Sequence, residues 1–107
     1  MLTEAIHNEA VKAAEQATAN FLTKHNGQFY GCGFAWVSSY YKGNTKLGKS
    51  FAKQGFKKSY SGGYQLWNPS GNPTQDIAAK EAGVDAYIAT VKKHLPGIEL
   101  YAGSRLD

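Results

Sequence analysis

Apolar residues recur every three or four positions at the start of the chain: Leu2, Ile6, Ala10, Ala13, Ala17 and Phe21. Glu4, His7, Asn8, Lys12, Glu15 and Gln16 fill the opposite side. This spacing predicts an amphipathic helix with an alanine-rich inner stripe, which lets whatever it covers approach closely. Thr3 is placed to cap its start, and His25-Asn26-Gly27 to stop it, with Gly27 taking the left-handed conformation.

The pattern then changes. Phe29 to Tyr41 is rich in aromatic and β-branched residues and has no proline and no charge, which predicts a long, central strand. Alternation gives it two unlike faces. Tyr30, Cys32, Phe34 and Trp36 project one way, and Gly31, Gly33, Ala35 and Val37 the other. Two explanations fit the smooth face: a helix lying close over the glycines, or a ligand approaching the backbone there.

A second, shorter helix is expected from Asn44, as its cap, to about Gln54, anchored by Leu47 and Phe51 and closed by Gly55. Lys57 to Trp67 reads as β structure interrupted by Ser61-Gly62-Gly63, which forms either a hairpin turn or a bulge. Asn72-Pro73-Thr74-Gln75 has the chemistry of a helix start. Ile77, Val84, Ile88, Val91 and Leu95 supply the inner stripe of that third helix, which Pro96-Gly97 ends. A short edge strand follows, with Ile98, Leu100 and Ala102 alternating against Glu99, Tyr101 and Gly103.

The expected fold is therefore α+β: two layers, a three- to four-stranded and mostly antiparallel sheet with three helices, in the order α-β-α-β(β)-α-β. A chain of 107 residues makes one domain, residues 1–107, with one modest core. Its 42% apolar and 19% charged content is that of a globular chain. The single cysteine provides no disulfide framework and fits a reducing compartment. Met1 to Asn20 carries three glutamates and no long apolar run, unlike a signal or transit peptide. No stretch reaches the ~20 apolar residues of a membrane span. The expectation is a cytoplasmic protein that does not enter membranes.

Charge alters this picture. The net charge of +4 conceals a segregation: no acidic residue lies between Glu15 and Asp76, while Lys24, Lys42, Lys46, Lys49, Lys53, Lys57 and Lys58 do. Lys46, Lys49 and Lys53 share one face of the second helix, with Lys42 just before it and Lys57 and Lys58 just after. Tyr40, Tyr41, Tyr60, Tyr64 and Trp67 lie nearby in sequence and offer rings for base stacking. The candidate anion or nucleic-acid site is thus Lys42, Lys46, Lys49, Lys53, Lys57, Lys58, Tyr60, Tyr64 and Trp67. Lysine lacks the planar fork that reads guanine edges, which favours nonspecific binding over duplex readout. The competing explanations are a merely solvated helix face, or docking on an acidic protein, including the acidic faces of the first and third helices in another copy of this chain.

Other chemistry is weaker. Gly31-Cys32-Gly33-Phe34-Ala35-Trp36 partly matches the glycine–aromatic strand of RNA-recognition modules, but a helix precedes it where those modules begin with a strand. Cys32 reads as a buried small hydrophobe, since His7, His25 and His94 lie near helix ends or on polar faces. Glu81 and Asp85 form a single acidic pair with no matching second pair. The histidines lack metal-ligand spacing and no cofactor motif is present, so a non-enzymatic protein is expected.

Gly33-Phe34-Ala35-Trp36-Val37, Lys46-Leu47-Gly48, Ser61-Gly62-Gly63-Tyr64, Lys80-Glu81-Ala82 and Ser104-Arg105-Leu106-Asp107 together resemble a group of small proteins encoded by tailed bacteriophages. The resemblance spans residues 31–107 and brings no assigned activity or site residues. It implies action in the infected host's cytoplasm in an accessory role: binding nucleic acid, or binding and inhibiting a host protein.

Overall fold

A computed structural model describes residues 1–60 and 62–107. Its elements follow the expected order: α1 (Glu4–Lys24), β1 (Gly33–Ser39), α2 (Lys46–Lys53), β2 (Lys57–Lys58), β3 (Tyr64–Trp67), α3 (Ile77–His94) and β4 (Tyr101–Leu106). The four strands form one antiparallel sheet in the order β2-β3-β1-β4, an α+β fold with β1 inside and β4 on an edge.

The helix ends show which local signals prevailed. Thr3 caps α1 by accepting from the Ile6 amide, and Gly27 is left-handed at φ 83°, both as expected. In α2 the cap is Thr45 rather than Asn44; its hydroxyl accepts from the Gly48 amide and donates to the Lys42 carbonyl. In α3 the cap is Asp76 rather than Asn72. The Asn72 carboxamide accepts from Thr74 N and the Thr74 hydroxyl from Asp76 N, so that run is a chain of side-chain-stabilised turns leading to the helix. The first strand is also shorter than its composition suggests. It begins at Gly33, because Gly31 sits at φ 130° and Ile77 N bonds to the Gly31 carbonyl.

Packing explains the small residues. The buried stripe of α1 runs Ala10, Ala14, Thr18, rotated slightly from the predicted Ala13 and Ala17. It faces α3 at Ala79 and Gly83, where a β-carbon on Gly83 would lie 2.6 Å from Thr18 Oγ1. The buried Thr18 hydroxyl is satisfied by the Ala79 carbonyl at 2.8 Å. On β1 the smooth face lies under α3: a β-carbon on Gly33 would lie 2.6 Å from Ile77 Cδ1, so the glycine is a packing device. Ala35, Val37, Phe51, Phe56, Tyr64, Val84, Tyr87 and Val91 fill the single core on that side of the sheet, with contributions from all three helices. The glycine segment is a hairpin connecting β2 to β3, with Gly62 and Gly63 at positive φ; Ser61 lies outside the described residues.

One half-buried contact carries a pH dependence. The Tyr87 hydroxyl lies 2.6 Å from His7 Nδ1. Burial raises the Tyr87 pKa, so the phenol stays protonated and donates to a neutral imidazole. Burial also lowers the His7 pKa below its ordinary 6.5. Below pH 6.5 the unfolded chain therefore binds a proton that the folded chain still refuses, and acid favours unfolding. The melting temperature should fall as pH drops from 7 through 6.5 and below, and His7→Gln should flatten that slope in a thermal melt series. An unchanged slope in the variant would mean that His7 is not the sensor.

Candidate functional site

The face of the sheet opposite α3 carries the other half of the alternation. Directly paired residues in antiparallel strands share a face. Phe34 pairs with Arg105, Trp36 with both Trp67 and Gly103, Ser38 with both Gln65 and Tyr101, and Gln65 with Lys57. From the helices, Lys80 of α3 reaches round to this face and sets its ammonium over the Phe34 ring.

The rings are ordered by one another. Trp36 and Trp67 stack with centroids 4.7 Å apart and planes 21° apart. Trp36 lies flat against the β4 backbone because residue 103 is glycine; a β-carbon there would collide with the indole. Trp67 is 43% exposed, and its Nε1 donates to Gln65 Oε1 at 3.0 Å, which fixes the ring plane. Phe34 meets Trp67 edge-on at 5.7 Å. The Arg105 guanidinium sits 5.5 Å from the Phe34 centroid and 5.9 Å from that of Trp67, while Lys80 Nζ approaches Phe34 at 5.4 Å and donates to the Gly33 carbonyl. Toward the far end of the same face, Tyr40 and Tyr101 lie 5.9 Å apart, and both are at least half exposed.

Charge on this face is not internally neutralised. Among the described residues the ion pairs join Glu9 to Lys93 and to His94. Hydrogen bonds from the His94 ring and then the Lys93 ammonium hold the Glu9 carboxyl below its ordinary range. Neither Arg105 nor any lysine from 42 to 58 has a carboxylate within ion-pair distance.

The lysines predicted as one site are exposed but do not form one surface. Lys46, Lys49 and Lys53 line a common hollow with Met1, Leu2 and Glu4, so the face of α2 is assembled as expected, though one carboxylate shares it. Lys42 precedes the helix and gives its backbone carbonyl to Thr45. Lys57 and Lys58 are adjacent on β2 and point to opposite faces: Lys57 joins the open face beside Gln65, and Lys58 borders the hairpin glycines. Of the predicted rings, Tyr60 is fully exposed at the hairpin and Trp67 belongs to the open face. Tyr64 is a correction. It pairs with Ser39 on the helix side, is 7% exposed, and cannot stack on a ligand.

Cys32 is a second correction. It precedes β1, is exposed, and its thiol donates to Gln75 Oε1 at 3.5 Å, rather than lying buried. The described residues hold no group of three His, Cys, Asp or Glu able to share a metal ion. No described helix is long and apolar enough to cross a membrane.

Phe34, Trp36, Tyr101 and Arg105 were absent from the predicted site. Alternation had placed Phe34 and Trp36 on the bulky face, but only the strand pairing brings Trp67 and Arg105 onto it. No protein-family model, no curated protein and no solved structure matches this chain.

Proposed function

We propose that this protein is a non-enzymatic accessory domain that binds single-stranded nucleic acid on the open face of its sheet. The observation that carries this reading is the exposed Trp67 ring, stacked on Trp36 and flanked by an Arg105 that no carboxylate neutralises. A nucleic-acid base has a π-face that stacks on such a ring whatever its sequence, and its phosphates supply the missing negative charge. A duplex hides its base faces, so the open face favours single strands. Lys57 stands on the same face, and the α2 lysines add a longer-range positive field. The resemblance to small phage proteins agrees with an accessory role in an infected cell.

The test is a salt titration of binding to a labelled twelve-nucleotide single strand and to the corresponding duplex. Single-strand binding should quench indole emission and exceed duplex binding. Its affinity should fall with salt at a slope of about −0.7 per phosphate contacted. Equal affinity for both forms with unchanged indole emission would overturn the sheet-face reading, and no binding at low salt would overturn nucleic acid as the partner.

A further inference from the structure

We propose that the outer edge of β4 is a docking site for an extended segment of another protein, one presenting a lysine or arginine toward α3. The inference is independent of nucleic-acid binding, because a polynucleotide cannot complete a strand ladder. The two edges of the sheet are managed differently. β2 is two residues long and both are lysine, a length and charge that discourage strand addition. β4 is six residues long, contains no lysine or proline, and its residues are exposed apart from the half-buried Gly103.

The hydrogen-bond phase of β4 says which groups are open. Asp107 N donates to the Cys32 carbonyl at 3.0 Å, and Cys32 lies one step before the Gly33–Leu106 pair. Antiparallel ladders alternate, so Arg105, Gly103 and Tyr101 turn their backbone groups to β1. Ala102, Ser104 and Leu106 direct theirs outward, a row of donors and acceptors spaced for another strand.

The helix side of this edge specifies the guest. A hollow of about 280 Å³ is lined by Glu81, Val84, Asp85, Ala102, Gly103 and Ser104. Ser104 Oγ donates to Glu81 Oε2 at 2.6 Å, and neither carboxylate has a cation in ion-pair distance among the described residues. Burial, and then the charge of Glu81, raise the Asp85 pKa, as expected of a carboxylate pair lacking its counter-charge. A strand added to β4 sets alternate side chains opposite Ala102 and Ser104, both small, beside this hollow. A cationic side chain there meets both carboxylates; an acidic one is repelled.

The experiment titrates the isotope-labelled full chain with a capped peptide, Thr-Val-Lys-Val-Lys-Val-Thr, and follows backbone amide shifts. Binding should move Ala102, Ser104 and Leu106 most. Combining Glu81→Gln with Asp85→Asn, which keeps the acceptor for Ser104, should weaken binding about fivefold or more, the loss of two accessible ion pairs. A glutamate-for-lysine peptide, and one N-methylated at alternate residues, should leave β4 unmoved. Three results would each overturn the proposal: no β4 shifts at millimolar peptide, binding indifferent to the double variant, or sedimentation showing that two copies already pair through β4.

Discussion

Trp67→Ala should weaken single-strand binding by about 5- to 150-fold, because one stacked base contributes ~1–3 kcal/mol. Trp67→Phe keeps a ring over Trp36 and should lose only part of this. Since Trp67 is 43% exposed, the alanine variant should still fold, which a thermal melt checks. Arg105→Gln should act differently. It removes a charge that lies against two rings, so affinity falls and the salt slope becomes shallower by about 0.7, one phosphate fewer. Changing Lys46, Lys49 and Lys53 together to glutamine should flatten the salt slope while leaving indole quenching at saturation intact. The reverse pattern, with the lysine variant losing all binding and Trp67→Ala none, would move the site to α2 and end the case for the sheet face.

The contrast between these variants follows from what the chain makes legible. Helical and alternating periods are local, and they set the kind and order of the elements and the edge position of the last strand, but not every boundary. β4 runs Tyr101–Leu106 where alternation suggested Ile98 to Gly103, and Ile98 and Leu100 are buried in the core ahead of it. Caps were harder, because Asn44 and Thr45, or Asn72 and Asp76, offer similar chemistry and only packing chooses between them. The site was least legible. Lysine spacing along α2 is visible in one dimension, but Lys57 and Lys58 separate as soon as they enter a strand. Trp67 and Arg105 are 38 positions apart in sequence yet lie on the two neighbours of β1, and their meeting depends on strand order. Tyr64 failed for the same reason: with β3 in register with β1, its ring falls opposite Ser39 on the core side.

The fold that presents both surfaces depends on a small aromatic anchor, and Phe51→Ala should expose it. Phe51 is fully buried, 5.0 Å from Phe56 and 6.0 Å from Tyr41 between ring centroids, and Phe56 in turn meets Tyr87 at 6.2 Å. Deleting a buried phenylalanine costs about 3–5 kcal/mol, from lost transfer energy and the cavity left behind. Domains of this size hold only ~5–15 kcal/mol in total. At roughly 4–8 °C per kcal/mol, the melting temperature should drop by at least about 12 °C. An eight-residue helix has too few turns to persist alone, so α2 depends on this anchor more than on its own hydrogen bonds. Amide exchange in Lys46–Lys53 should accelerate more than in α1, whose buried stripe lies against α3. Lys49→Gln on the exposed side of the same helix should shift stability by no more than about 0.5 kcal/mol. A drop of only a few degrees in Phe51→Ala would mean that the α1–α3 pair and the sheet hold the core without α2. The α2 lysines would then ride on a detachable element rather than on the folded domain.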